Sequence, residues 1–166
     1  MRRTGTVLMG LTVVASIAAG GTATATPVSS YEFASTKGDS IGEGASGSYR
    51  APVDKFRITG SSEFLTVTVD TPTGAWWVVD LAAARGQRLR PGVYLGAQRA
   101  PFREGEAPGL AVSNTGRGCN RVWGEFEILR IEENTQGAVT ELEATFTQHC
   151  ESPTAPPLKG TLHYHA

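Results

Sequence analysis

The chain has 166 residues, with 15 Lys and Arg against 16 Asp and Glu, for a formal charge of −1. No long run of either sign interrupts that balance, which argues against nucleic acid or an anionic membrane as the main partner. The length suits one domain able to bury a sizeable core without a metal or many disulfides.

Arg2 and Arg3 precede a mostly apolar stretch, residues 7–19, and Ala23-Thr24-Ala25 supplies a small-x-small pattern. Together these read as a secretory signal peptide, residues 1–25, cleaved after Ala25. The mature domain is then 26–166. With Arg2 and Arg3 gone, 13 cationic side chains face 16 acidic ones, a charge of about −3. No second apolar run is long enough to span a membrane.

Helical periodicity is nearly absent downstream, and period-two segments bounded by Gly, Pro, Asn and Asp recur. Residues 31–33 read as a short strand, 37–47 as a glycine-rich loop, and 56–58 as a weak strand. In 63–69, Leu65, Val67 and Val69 share one face. After the turn Thr71-Pro72-Thr73-Gly74, residues 76–81 form a strand, and Gly86 and Pro91 leave Ala82-Ala83-Ala84 no room for a helix. Residues 92–97 form another strand, 98–109 a long irregular loop and 110–113 a short strand. In 123–132 the apolar positions switch parity between Ile128 and Leu129, which predicts a bulge or burial on both faces. In 139–150, Leu142, Ala144, Phe146, Gln148 and Cys150 share one face, and Glu141, Glu143, Thr145, Thr147 and His149 the other. In 158–165, Leu158, Gly160, Leu162 and Tyr164 face inward. The pattern predicts an all-β fold: an antiparallel β-sandwich, jelly-roll-like, or a partly closed barrel.

Cys119 and Cys150 are a single pair in an oxidising compartment, where a disulfide is expected. Closing that loop would contribute about 3–4 kcal/mol on a chain-entropy account. A buried or reactive free thiol is the alternative.

Candidate sites are few. Residues 42–47 match GxGxxG, but neither the required strand nor the helix flanks them, so they read as a loop. Asp39 and Glu43 in that loop are oxygen ligands of the kind calcium uses, without a complete set. His163 and His165 share a strand face with Glu143 across the hairpin, a donor set suited to zinc or copper; ordinary outward polar residues on a fraying C-terminus are the plainer reading. Arg85, Arg88 and Arg90, with Arg99 and Arg103, could form an anion patch or a solvated loop face balanced by Glu104 and Glu106. The Trp76-Trp77 pair carries most information. Trp77 shares its face with Val79 and Leu81, so it belongs in the core. Trp76 shares its face with Asp80, and an outward indole beside a carboxylate suits stacking against a sugar ring and bonding its hydroxyls. Trp76 and Asp80 are therefore the expected ligand contacts; the plainer reading is that the 98–109 loop covers Trp76.

The runs Gly38-Asp39-Ser40-Ile41-Gly42, Arg90-Pro91-Gly92-Val93-Tyr94, Gly116-Arg117-Gly118-Cys119-Asn120 and Phe146-Thr147-Gln148-His149-Cys150-Glu151, with 158–164, resemble a group of uncharacterised bacterial secreted domains carrying GDxIG, PGxY, GRGCN and FxQHCE…LxGxxxY motifs. The resemblance covers nearly the whole mature chain and implies an all-β fold with a Cys119–Cys150 link. It implies no activity.

The resulting expectation is a secreted, extracellular or periplasmic monomer with no cofactor and no metal. It acts as a non-catalytic binding module for glycan or a cell-surface polymer. The first rival is a protein-binding or inhibitor module using the 98–109 loop; the second is a metal-dependent enzyme built on the histidines.

Overall fold

The computed structural model describes residues 27–166; the expected signal segment lies outside them. Ten strands follow in order: β1 Ser30–Ser35, β2 Ser46–Arg50, β3 Lys55–Ser61, β4 Phe64–Asp70, β5 Trp76–Ala82, β6 Gly92–Arg99, β7 Gly109–Asn114, β8 Val122–Glu133, β9 Val139–Cys150 and β10 Pro157–His165. They form one sheet of order β2-β1-β10-β9-β8-β6-β7-β5-β4-β3, curled into a nearly closed barrel. No helix among the described residues is long and apolar enough to cross a membrane.

The barrel has two walls. Six strands, β2-β1-β10-β9-β8-β6, make one; four, β7-β5-β4-β3, make the other. All neighbours are antiparallel except β6 and β7, which run parallel and pair only at Gln98–Gly109 and Arg99–Leu110. Beyond Leu110 the pairing of β7 with β6 stops, and a side chain continues it. Gln148, fully buried on β9, accepts from the Val112 N–H at 2.7 Å and donates to the Val112 carbonyl at 3.0 Å. Its amide thus replaces a missing strand, which a buried peptide group requires. At the opposite seam, the free edges β2 and β3 are joined by residues 51–54, and the Trp77 indole donates to the Tyr49 hydroxyl at 3.0 Å.

One interior row shows why these strands pack. Gly47, Phe33, Gly160, Phe146, Phe126 and Tyr94 lie side by side across the six-stranded wall. A Cβ on Gly160 would overlap the Phe146 ring, and one on Gly47 the Phe33 ring. The glycines are therefore the space the rings fill. Tyr94 stacks on Phe126 with centroids 4.5 Å apart and planes 5° from parallel, the separation aromatic pairs favour.

Most expected elements are present, and the inward set of β9 is buried as its alternation requires. The parity switch in β8 is a bulge between Ile128 and Arg130, with Leu129 turned outward. Three details differ. Strand β2 begins within the segment read as a glycine-rich loop, because Ser46, Gly47 and Ser48 carry no β signal; Gly47 is there to admit Phe33. The first part of the 98–109 segment extends β6 and forms a short 3-10 turn, Ala100–Phe102. The C-terminus does not fray: the Ser29 hydroxyl donates to the His165 carbonyl and accepts from the His165 N–H. The Cys119–Cys150 disulfide is formed, and Asn120 N–H donates to Glu151 Oε1 at 2.6 Å beside it.

Candidate functional site

Alternation on the six-stranded wall sends every second residue outward, and the lateral register decides which meet. One outward row is Val93, Glu127, Thr145, Thr161, Glu32 and Ser48. The next is Glu125, Thr147, Lys159, Ala34 and Ser46. Apart from Lys159 on β10, short side chains occupy the middle strands, and long carboxylates stand on the flanks. The result is a trough of about 680 Å³ with a threonine floor. Glu127 and Glu32 stand three strand spacings apart, about 14 Å.

The trough continues at both ends. Through Glu125 and Thr147 it meets a hollow of about 290 Å³ lined by Trp123, His149 and Gly96. Through Glu32 it meets another of about 500 Å³ lined by Arg50, Arg130, His163 and His165. Trp123 is half-buried and lies directly opposite His149 on β9. His149 Nδ1 stands 2.5 Å from the Ala155 carbonyl. A carbonyl only accepts, so Nδ1 carries the hydrogen and, in the neutral ring, Nε2 keeps a lone pair.

Electrostatically the middle of this groove differs from its ends. Glu32, Glu125 and Glu127 have no ion-pair partner among the described residues. At the C-terminal end, Arg130 pairs with Glu141, His165 Nδ1 lies 3.1 Å from Glu141, and His163 Nδ1 lies 3.6 Å from Glu143.

The expected site residues lie on the other wall. Trp77 is buried at 3% exposure, as its parity requires. Trp76 faces outward and is half-buried, opposite Asp70 on β4, with its backbone bonded to Thr115. Asp80 is also half-buried and accepts from the Thr66 hydroxyl at 2.7 Å. Burial raises its carboxyl above the ordinary value, with the Thr66 hydrogen bond opposing. The two residues share a face but lie on a sheet surface rather than in the groove.

Other candidates find structural employment. Asp39 is buried, and its Oδ2 accepts from the Ser35 hydroxyl and the Gly42 N–H, which pins the glycine-rich loop; Glu43 pairs outside with Arg117 at 2.9 Å. His163 does face Glu143 across the hairpin, yet no group of three or more His, Cys, Asp or Glu side chains placed to hold a metal occurs among the described residues. The arginines do not form one patch. Arg103 is buried and donates to the carbonyls of Ala83 and Ala100, Arg88 pairs with Glu133, and Arg99 lies over the Phe102 ring.

Trp123, Glu125, Glu127 and Glu32 were not singled out by the sequence. The outward set of β9 was legible, but which residues flank it depends on the β1–β10–β9–β8 register. No family model, no curated protein and no solved structure matches the chain, so the functional argument rests on this geometry.

Proposed function

We propose that the protein is a non-catalytic extracellular binding module for glycan or another cell-surface polymer, and that the polymer lies in the groove of the six-stranded wall. The observation that carries this reading is the continuous trough itself, with Trp123 and His149 at one end and hydroxyls and carboxylates along it. A half-exposed indole offers an apolar face to a sugar ring, while Thr145, Thr161 and Glu127 offer donors and acceptors to its hydroxyls. A signal-like N-terminus and the Cys119–Cys150 bridge support an extracellular setting.

The test is a pull-down with insoluble polysaccharides and isolated cell walls, using wild type, Trp123→Ala and Trp76→Ala, with a thermal melt of each. Loss of a stacking ring should weaken binding about five- to tenfold in Trp123→Ala, given roughly 1 kcal/mol per aromatic contact. Trp76→Ala should bind as wild type does. Wild type that retains no polysaccharide would reject the reading.

A protein contact through the 98–109 segment is the second reading. Phe102 is 65% exposed at its turn, while Arg103 anchors the segment from beneath. An apolar ring on a rigid base is the form that inhibitor and docking loops take.

A further inference from the structure

We infer that the groove selects a cationic polymer: a glycan whose repeating sugars carry free primary amines, rather than a neutral or acidic one. The inference rests on the glycan reading and adds the charge of the ligand. Glu127 and Glu125 stand on one flank of the trough, i and i+2 on β8, and Glu32 on the other. Lys159 is the only cationic side chain lining the trough. Three carboxylates against one ammonium leave the floor at a charge of about −2 at neutral pH.

Three details make this charge available to a ligand. None of the three glutamates has an ion-pair partner among the described residues, in contrast to Glu141 and Glu143 at the C-terminal end, which face Arg130, His163 and His165. The carboxylates sit on both flanks, so a chain lying along the trough meets negative charge on either side. The floor between them offers the hydroxyls of Thr145, Thr161 and Thr147, with Lys159 as its one cation. An ammonium on the ligand gains a charge-assisted hydrogen bond to a carboxylate already held by the sheet. An acidic polymer would meet uncompensated repulsion, a device for specificity as effective as attraction.

The probes are glucosamine hexamer, N-acetylglucosamine hexamer and cellohexaose, titrated calorimetrically into the full mature domain at low and at 0.5 M (roughly) salt, where surface charge is largely screened. The amine-bearing hexamer should bind about tenfold tighter than the acetylated one, as two or three partly exposed charge pairs allow. High salt should shrink that ratio. E125Q/E127Q should bring it close to unity while leaving the melt unchanged, and Lys159→Ala should raise it. Equal affinity for all three hexamers, or an unchanged ratio in E125Q/E127Q, overturns the inference and leaves glycan binding standing. Binding of no hexamer and no polysaccharide overturns both. A lysine-rich peptide bound as tightly as the aminoglucan would show that the groove reads charge on protein, and would overturn the sugar assignment.

Discussion

The two walls of the barrel each present an outward tryptophan near carboxylates, but the surroundings of those carboxylates differ. On the four-stranded wall, Asp80 is engaged by Thr66 and Asp70 lies 3.6 Å from Arg57, while Thr68 and Val78 fill the sheet surface around Trp76. On the six-stranded wall, Trp123 borders a trough whose Glu32, Glu125 and Glu127 have no ion-pair partner among the described residues. What separates the walls is whether the acid already has a partner.

The largest effect should come from the interior that shapes the trough. Phe146 packs against Gly160 beneath the threonine floor and is 4% exposed. Phe146→Ala should cost about 3–5 kcal/mol in a urea melt. Thr147→Ala, one residue on and outward, should cost roughly 0.5 kcal/mol or less. Comparable losses would mean that this wall is buried on both faces, and the groove would then be covered.

Such a contrast was legible in the sequence because β9 alternates without interruption from Leu142 to Cys150. The bulge in β8 was legible for a related reason: Ile128 and Ile131 cannot share the inward face of an unbroken pleat, and Leu129 is the residue the bulge turns outward. Strand β2 was not, since its place is fixed by the Phe33 ring needing a glycine neighbour, and its own residues carry no pattern. The Trp76–Asp80 pairing was a correct statement about shared faces. What alternation along one strand could not supply was the set of neighbours across strands: Thr66 beside Asp80, or Glu127 and Glu32 flanking two threonines. The disulfide was legible from the cysteine count and the expected compartment, whereas the buried Gln148 bridge was not, because an inward glutamine does not reveal its partner.

That bridge gives the next largest effect, and it tests whether the walls behave as one barrel. Gln148→Leu keeps volume and leaves the Val112 N–H and carbonyl without partners. A loss of about 2–4 kcal/mol is expected, since each orphaned buried group costs roughly 1–3 kcal/mol. Hydrogen exchange should quicken at Val112 and along β7 before it quickens in β9. Unchanged exchange at Val112 would show that a water or a second strand takes over, and that the walls are joined only through Gln98–Gly109 and Arg99–Leu110.

The smallest effect bears on the Trp76 face. Burial raises the Asp80 carboxyl above its ordinary value. The folded state therefore holds this proton more tightly than the unfolded state, and stability attributable to Asp80 falls as pH rises from the unfolded value through the raised folded one. At neutral pH the ionised carboxylate is a net cost. Asp80→Asn removes the charge and keeps an oxygen that accepts from Thr66, so it should be more stable than wild type at pH 7 by about 1 kcal/mol or less, the discount reflecting partial exposure. The advantage should shrink on acidification and vanish below the ordinary carboxylate value of 3.8. Thermal melts of both proteins between these limits measure the difference directly. A mutant less stable at neutral pH would mean that the Asp80 charge is stabilised in the folded protein, and that the four-stranded wall carries an available anion beside Trp76 after all; polysaccharide pull-downs with Trp76→Ala and Asp80→Asn would then decide between the two walls.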